Sequence, residues 1–237
     1  IWTQYAYYMG SLLQGDLGES IRTQEPVAAE LARAIPATAE LALFAFIIVL
    51  IVGVGFGAAA ARHKDSLLDQ TARLFGAIGV STPTFWTGLI LIAIFADMAG
   101  LAPTGGRLTP DIVDAPNITG LLVLDGLLTF RFDVVLDALG QLALPAITLA
   151  LAPAAAMTRL GRASLLEVYS ADYIRRARAS GLDEGVIFRH YALPNALVPL
   201  LTVLGVLLAD LLVGAGITEI IFGWPGLGTY TIEAIAG

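Results

Sequence analysis

Four apolar runs, near residues 36–61, 74–98, 137–157 and 193–218, constrain this chain more than anything else in it. Each is close to the ~20 residues with which an α-helix crosses a ~30 Å hydrocarbon core. A helix satisfies its own backbone hydrogen bonds, which lipid cannot do for it. The expected fold class is therefore all-α, a polytopic membrane helix bundle. Hydrophobic residues are 57% of the chain and charged ones 14%, whereas a soluble domain carries about 25% charged residues. The chain has no cysteine, which excludes a disulfide framework, a zinc–thiolate site and a cysteine nucleophile. Its net charge of −7 argues against nucleic acid as a partner. The chain starts at Ile1 with no Met and no apolar signal region, and so reads as part of a longer protein.

Residues 1–35 are amphipathic and polar, an expected extracytoplasmic segment of short helices broken at Gly15 and Gly18. Trp2, Tyr5, Tyr7 and Tyr8 are spaced as on a helix lying in the headgroup layer, although an ordinary soluble helix pair fits as well. Pro36 is placed to open the first span, because a proline in the first turn forfeits no helical hydrogen bond. Gly53, Gly55 and Gly57, near its end, would let another backbone come close. Pro83, with Trp86 nearby, falls inside the second run and predicts a kink, read either as packing or as a bend lining a conduit. Residues 99–136 form a long connection punctuated by Pro103, Gly105, Gly106, Pro110 and Pro116. Within it, 118–130 is apolar, carries Asp125 and is too short to cross, which suits an interfacial or re-entrant piece. Pro145 and Pro153 lie in the third run, and Trp224-Pro225-Gly226 predicts a turn at the membrane interface.

Basic residues set the orientation. Segments 62–73 and 159–199 hold nine of the thirteen Lys+Arg against six acids, Asp65, Asp69, Glu167, Asp172, Asp183 and Glu184. The remainder holds four Lys+Arg against fourteen acids. Both basic segments are therefore expected in the cytoplasm, with 1–35, 99–136 and 219–237 outside.

Six of those basic residues lie in RLGRASLLEVYSADYIRRARASGLDEGVIFRHYALPNALVP, residues 159–199. Helical spacing covers 164–180, with Leu166, Tyr169, Tyr173 and Ala177 along one face and Arg175 and Arg178 on another. Gly181 stands where a helix end needs a left-handed residue, and Leu182 supplies the accompanying apolar contact. Asp183 can cap a second helix, which leads through Tyr191 into the fourth run. A helix, a sharp turn and a helix standing on two membrane stems would suit a groove in a soluble partner. The other reading is a solvated loop whose arginines only set topology.

Here the sequence resembles the permeases of binding-protein-dependent ABC importers. Their cytoplasmic signature is Glu-Ala-Ala, three residues, Gly, nine residues, Ile, one residue, Leu-Pro. Aligning Gly181 brings Leu193-Pro194 to the expected distance, while Arg175-Arg176-Ala177 replaces Glu-Ala-Ala and Tyr191 replaces the isoleucine. DYIRRARASGL and RHYALPNALVP look more like the dipeptide, oligopeptide and nickel branch, where arginine commonly replaces the glutamate. GSLLQGDLGESIRTQEPV, PATAELAL, GVSTPTFWTGL, LALPAITLALAP and TEIIFGWPGLG are similar to that branch's first-type membrane subunit, so the resemblance covers essentially the whole chain. It implies six spans in the complete protein, one of them before residue 1 and one after 237. It also implies a pathway for peptides, nickel or other small solutes, formed with a second homologous permease subunit. Two cytoplasmic ABC ATPase subunits would bind ATP and Mg and dock on a coupling segment. That segment comprises Glu167, Asp172, Arg175, Arg176, Ala177, Arg178, Gly181, Leu182, Leu193 and Pro194. An extracytoplasmic substrate-binding protein would deliver cargo, and this chain in the bacterial inner membrane would hold no cofactor, no metal and no enzymatic site of its own.

Asp210, in GVLLADLLVG, is an intramembrane carboxylate of the kind that faces a bundle interior or water. With Pro83 it is a candidate for the substrate pathway; pairing with a partner subunit, or protonation, is the structural alternative. It also motivates a rival reading, an ion- or proton-coupled secondary transporter, against which no repeat pair with ionisable residues is evident. An intramembrane hydrolase lacks a histidine within any span to act as base. His63 and His190 each adjoin an arginine without a metal-ligand spacing and read as solvated, and Asp97 reads as interfacial.

Overall fold

The computed structural model describes residues 2–103 and 105–236, without the side chains of Thr3, Gln4, Tyr7 and Tyr8, so those two tyrosines fall outside the described residues. Helix α1, Trp2–Leu13, leaves Trp2 and Tyr5 exposed and stops before Gly15. A short antiparallel bridge between Glu19 and Pro26 then turns the chain into α2, Val27–Arg62.

The start of α2 corrects the expectation for Pro36. Pro26 occupies the cap position and Pro36 lies inside the helix. The reason is local: VAAELARA is built from strong helix formers, which carry the helix through a polar stretch that hydropathy leaves out.

The second run departs further from expectation. It is two helices, α3 (Leu67–Ser81) and α4 (Thr84–Met98), which meet at a bend of 108°. Pro83 is not within a kinked helix but caps α4 in an extended conformation. It also pushes the preceding residue out of the helical region, with Thr82 at φ −92 and ψ 123. Residues 118–130 yield only a short helix, α5 (Leu122–Leu128).

Helix α6 runs from Phe132 to Ser170, 39 residues without a break despite Pro145 and Pro153. The cytoplasmic segment's first third is therefore a continuation of the third span. Helices α7 (Asp172–Ala179), α8 (Glu184–Ile221) and α9 (Leu227–Ala236) complete the chain. By length and composition α2, α6 and α8 can each cross a membrane, and α3 with α4 is a fourth, broken candidate.

Helix α6 is the hub, packed against α2, α3, α4, α5 and α8. Small residues line its contact with α2, as close helix packing in lipid requires. A Cβ on Gly53 would stand 2.7 Å from the Met157 Cβ, and one on Gly57 2.7 Å from the Thr158 carbonyl oxygen. Gly55 faces open space and does not share this role. Leu41 and Val49 of α2, Leu142 and Met157 of α6, and Leu200 and Leu204 of α8 close one core. Gly57→Val should separate α2 from α6 and destabilise the protein by about 1–3 kcal/mol, read as a lower thermal unfolding midpoint. Gly55→Ala should leave that midpoint unchanged.

Candidate functional site

The cytoplasmic elbow begins where α6 stops. Ala171 is extended, φ −69 and ψ 149, so α7 starts in a new register. A single helix over 164–180 is therefore not formed, and the buried face passes to Leu165, Ile174 and Ala177 while Tyr173 is turned outward. Gly181 takes the left-handed conformation, φ 77, as its position requires. The Leu182 N–H donates to the Ala177 carbonyl (3.3 Å) and the Gly181 N–H to that of Arg178 (3.0 Å). Asp183 Oδ1 accepts from the Gly185 N–H at 2.7 Å and starts α8.

The elbow rests on its own small core. Ile174 and Ala177 pack with Ala61 of α2, Leu165 of α6 and Ile187, Ala192 and Ala196 of α8. Arg178 folds back: its guanidinium donates to both Glu184 oxygens (2.6 and 3.2 Å) and lies 5.6 Å from the centre of the Tyr169 ring. The Glu184 carboxylate beside it raises the Arg178 pKa above the ordinary value. Arg175 is different. Its side chain is 72% exposed, near the equally open Asp172, and Arg176, Leu182 and Glu167 are exposed with it. Leu193 is half-buried and Pro194 exposed. A wider, π-helical turn at Ile187–Ala192 precedes Pro194, where the missing proline N–H would otherwise interrupt a regular helix.

Both basic segments meet at this end of the bundle. Arg62 lies over the Phe188 ring, 4.6 Å from its centre, and Arg62, Lys64, Tyr169, Arg178 and Glu184 share the wall of one cavity. His63 and His190 are exposed. Nearby, Arg162 of α6 grips the buried Asp69 of α3 with two hydrogen bonds, the Nη2–Oδ2 one at 2.9 Å.

At the opposite end of the bundle, three buried carboxylates organise the connecting segments. Glu40 accepts from the Val123 N–H (2.9 Å) and from Arg107 Nη2 (2.5 Å), tying the long connection to α2. Glu219 accepts from the Thr38 hydroxyl (2.5 Å) and from the N–H groups of Gly228 (2.7 Å) and Thr229 (3.1 Å), fixing the start of α9. Asp125 gathers the N–H groups of Ile118, Thr119 and Gly120 at 2.9–3.0 Å and the Thr119 hydroxyl at 2.7 Å. Burial pushes the Asp125 carboxyl up, but these donors outweigh it and hold its pKa below the ordinary value of 3.8. Trp224 corrects another expectation. It is 1% exposed, and its Nε1–H donates to the Ala37 carbonyl at 2.9 Å, so it is a core anchor rather than an interfacial one.

Sequence reasoning passed over Glu40, Asp69, Arg107, Arg162 and Glu219 as site-builders. The available signal was carboxylates at the edges of or inside apolar runs, since such groups are stable there only when paired. Of the two pathway candidates, Asp210 lines a cavity of about 350 Å³ between α3, α4, α6 and α8. Pro83 is not in its wall, but the bend it makes sets Val80 and Thr84 there.

Residues 51–237 match the family of binding-protein-dependent transport system inner membrane components. The chain belongs to this family, whose members are transport permeases working in complexes with other subunits, and it is a multi-pass inner membrane protein. It is 44% identical over 229 residues to the dipeptide transport system permease protein DppB of Haemophilus influenzae, covering 96% of this chain and 68% of that one. It is 42% identical over 236 residues to the di/tripeptide transport system permease protein DppB of Pseudomonas aeruginosa, covering 100% and 70%. The putrescine export system permease protein SapB of Escherichia coli is 36% identical over 242 residues, covering 99% and 74%. These relatives are transport subunits rather than catalysts.

Arg162→Ala would leave the Asp69 carboxylate buried and unpaired, a loss of about 3–5 kcal/mol. The double variant Asp69→Leu with Arg162→Leu should lose less than the single one, measured as thermal unfolding midpoints of the purified protein. The lowered Asp125 pKa means that its contribution is complete above about pH 4 and is lost as pH falls through the folded value. Asp125→Asn should therefore make residues 117–121 protease-sensitive at pH 7, and the wild type should match it only in acid.

Proposed function

We propose that this permease conducts short peptides inward and receives its driving force through the elbow formed by α7, the turn at Gly181 and the start of α8. One observation carries the reading: the elbow is preformed on its own core, presents Arg175, Arg176 and Leu182 outward, and stands between α6 and α8, which also wall the membrane cavity. Pro153 and Ser170 share α6, and Asp210 and Glu184 share α8. At 1.5 Å per residue these pairs lie roughly 25 and 40 Å apart along continuous helices, so a displacement at the elbow reaches the cavity through rigid elements.

In this reading two cytoplasmic ATPases hold ATP and Mg in their own sites and receive the elbow in a groove. A second homologous permease completes the pathway. The exposed apolar faces of α4 and α8, with Trp86, Leu89, Val206 and Val213, meet that partner and lipid. A substrate-binding protein docks outside, where the 99–136 connection and the tail are joined by the Gly106 N–H to the Phe222 carbonyl at 2.9 Å. Peptide as cargo follows the names of the dipeptide and di/tripeptide relatives; the putrescine export relative keeps a small amine as the competing cargo. Family membership does not favour the ion-coupled reading based on Asp210.

Arg175→Glu with Arg176→Glu alters only outward-facing groups, and Gly181→Trp blocks the turn. Each should lower co-purification of the ATPases at least ~10-fold, about 1.4 kcal/mol, with membrane insertion unchanged. Undiminished co-purification would overturn the docking assignment.

A further inference from the structure

The cavity beside Asp210 has a chemistry that the general transport reading does not specify. Among the side chains of its wall only Asp210 and Thr84 are polar, and the main chain can add a third acceptor. Asp210 contributes a carboxylate and Thr84 a hydroxyl, and no hydrogen bond or ion pair within the described residues occupies either. The third is less obvious. Leu149 and Pro153 both line the cavity, and Pro153, having no N–H, cannot give the Leu149 carbonyl its helical hydrogen bond. A carboxylate and a carbonyl only accept hydrogen bonds, and a hydroxyl can accept one. No Lys, Arg, His or side-chain amide lies in the wall. The site can therefore satisfy a group that donates several hydrogen bonds and carries positive charge, while its one formal charge, on Asp210, repels an anion.

We propose that this cavity is an ammonium-binding site, in which Asp210, the Leu149 carbonyl and Thr84 receive the protonated amino terminus of a peptide in transit. The inference rests on the reading of the chain as a peptide-conducting permease and adds the chemical group recognised within the membrane. An –NH₃⁺ group has three donors and no acceptor, matching three acceptors in number and polarity. Asp210 stands exposed in a largely apolar wall within a span, where few other charges or polar side chains compete for a cation and the effective dielectric is lower than in bulk water. The rest of the cavity, including Val80, Leu207 and Leu211, offers side chains of the cargo only apolar contact. Such a site holds the positive one of the two charged termini common to all short peptides and is indifferent to their sequence. Its placement also serves release. Thr84 opens α4 at the 108° bend, whereas Leu149 and Asp210 sit on α6 and α8, the helices that carry the elbow. Relative movement of these elements separates the acceptors and frees the cargo.

Residues 1–237 hold no cysteine, so Ala156→Cys, in the cavity wall and exposed, gives a single reporter among them. In the complete importer made cysteine-free at every other position, the thiol is reacted with a trimethylammonium or a sulfonate methanethiosulfonate, each rate normalised to that of free cysteine. The cationic reagent should be favoured about 10-fold with Asp210 present, and Asp210→Asn should abolish the preference. Absence of reaction with both reagents, or a preference unchanged by Asp210→Asn, would overturn the proposal. In parallel, dialanine uptake should fall at least ~10-fold in Asp210→Asn and recover in Asp210→Glu; uptake unaffected by Asp210→Asn is a second contrary result. If wild-type dialanine uptake were independent of ATP, the importer reading would fail, while the labelling ratio would still decide the cavity's charge preference.

Discussion

Close contact between α2 and α6 is the constraint on which the rest of the structure depends. Lipid gives apolar side chains no reason to prefer each other, so helices associate in it through close packing and internal hydrogen bonds. Gly53 and Gly57 bring the α2 backbone against Met157, Thr158 and Arg162, where any side chain would meet main-chain atoms. With α2 fixed on α6, α8 closes the core from the third side, and the inner ends of all three helices converge beneath the elbow. The position of the elbow is therefore a consequence of packing decided inside the membrane.

Buried charge is distributed with the same economy. Each inward-turned carboxylate of the two ends has named donors: Asp69 on Arg162, Glu40 on Arg107 and Val123, Glu219 on Thr38 and the start of α9, Asp125 on a run of N–H groups. These pairs join segments far apart in sequence and turn a set of helices into one body with two finished faces. Asp210 stands outside this pattern: it lies in the middle of a span, and the described residues bring it no partner. That contrast is what separates a structural carboxylate from one available to a ligand.

Much of this was legible in the sequence, for identifiable reasons. The apolar runs announce themselves by length, and the charge asymmetry that assigns the two basic segments to one side agrees with Arg62 and Arg178 sharing a cavity wall. Gly181, Leu182 and Asp183 act locally, so their turn and cap could be read directly. The misreadings share one cause, the use of hydropathy to place helix ends. Val27–Pro36 is helical although polar, and 159–170 prolongs a span although charged. Pro83 was visible but its effect was not, because a 108° break and a modest kink have the same local sequence and differ in what surrounds them. Trp224 illustrates the remaining limit: its burial depends on the Ala37 carbonyl, 187 positions away.

The small core under the elbow has a mechanical consequence. Ile174 and Ala177 are already seated on that core, so docking of the proposed partner would order little additional chain and forfeit little conformational entropy on contact. A hinge of loose loop could be pulled but would buckle when pushed. A seated elbow resists compression as well as tension, so under the proposed coupling it would pass both a push and a pull to α6 and α8.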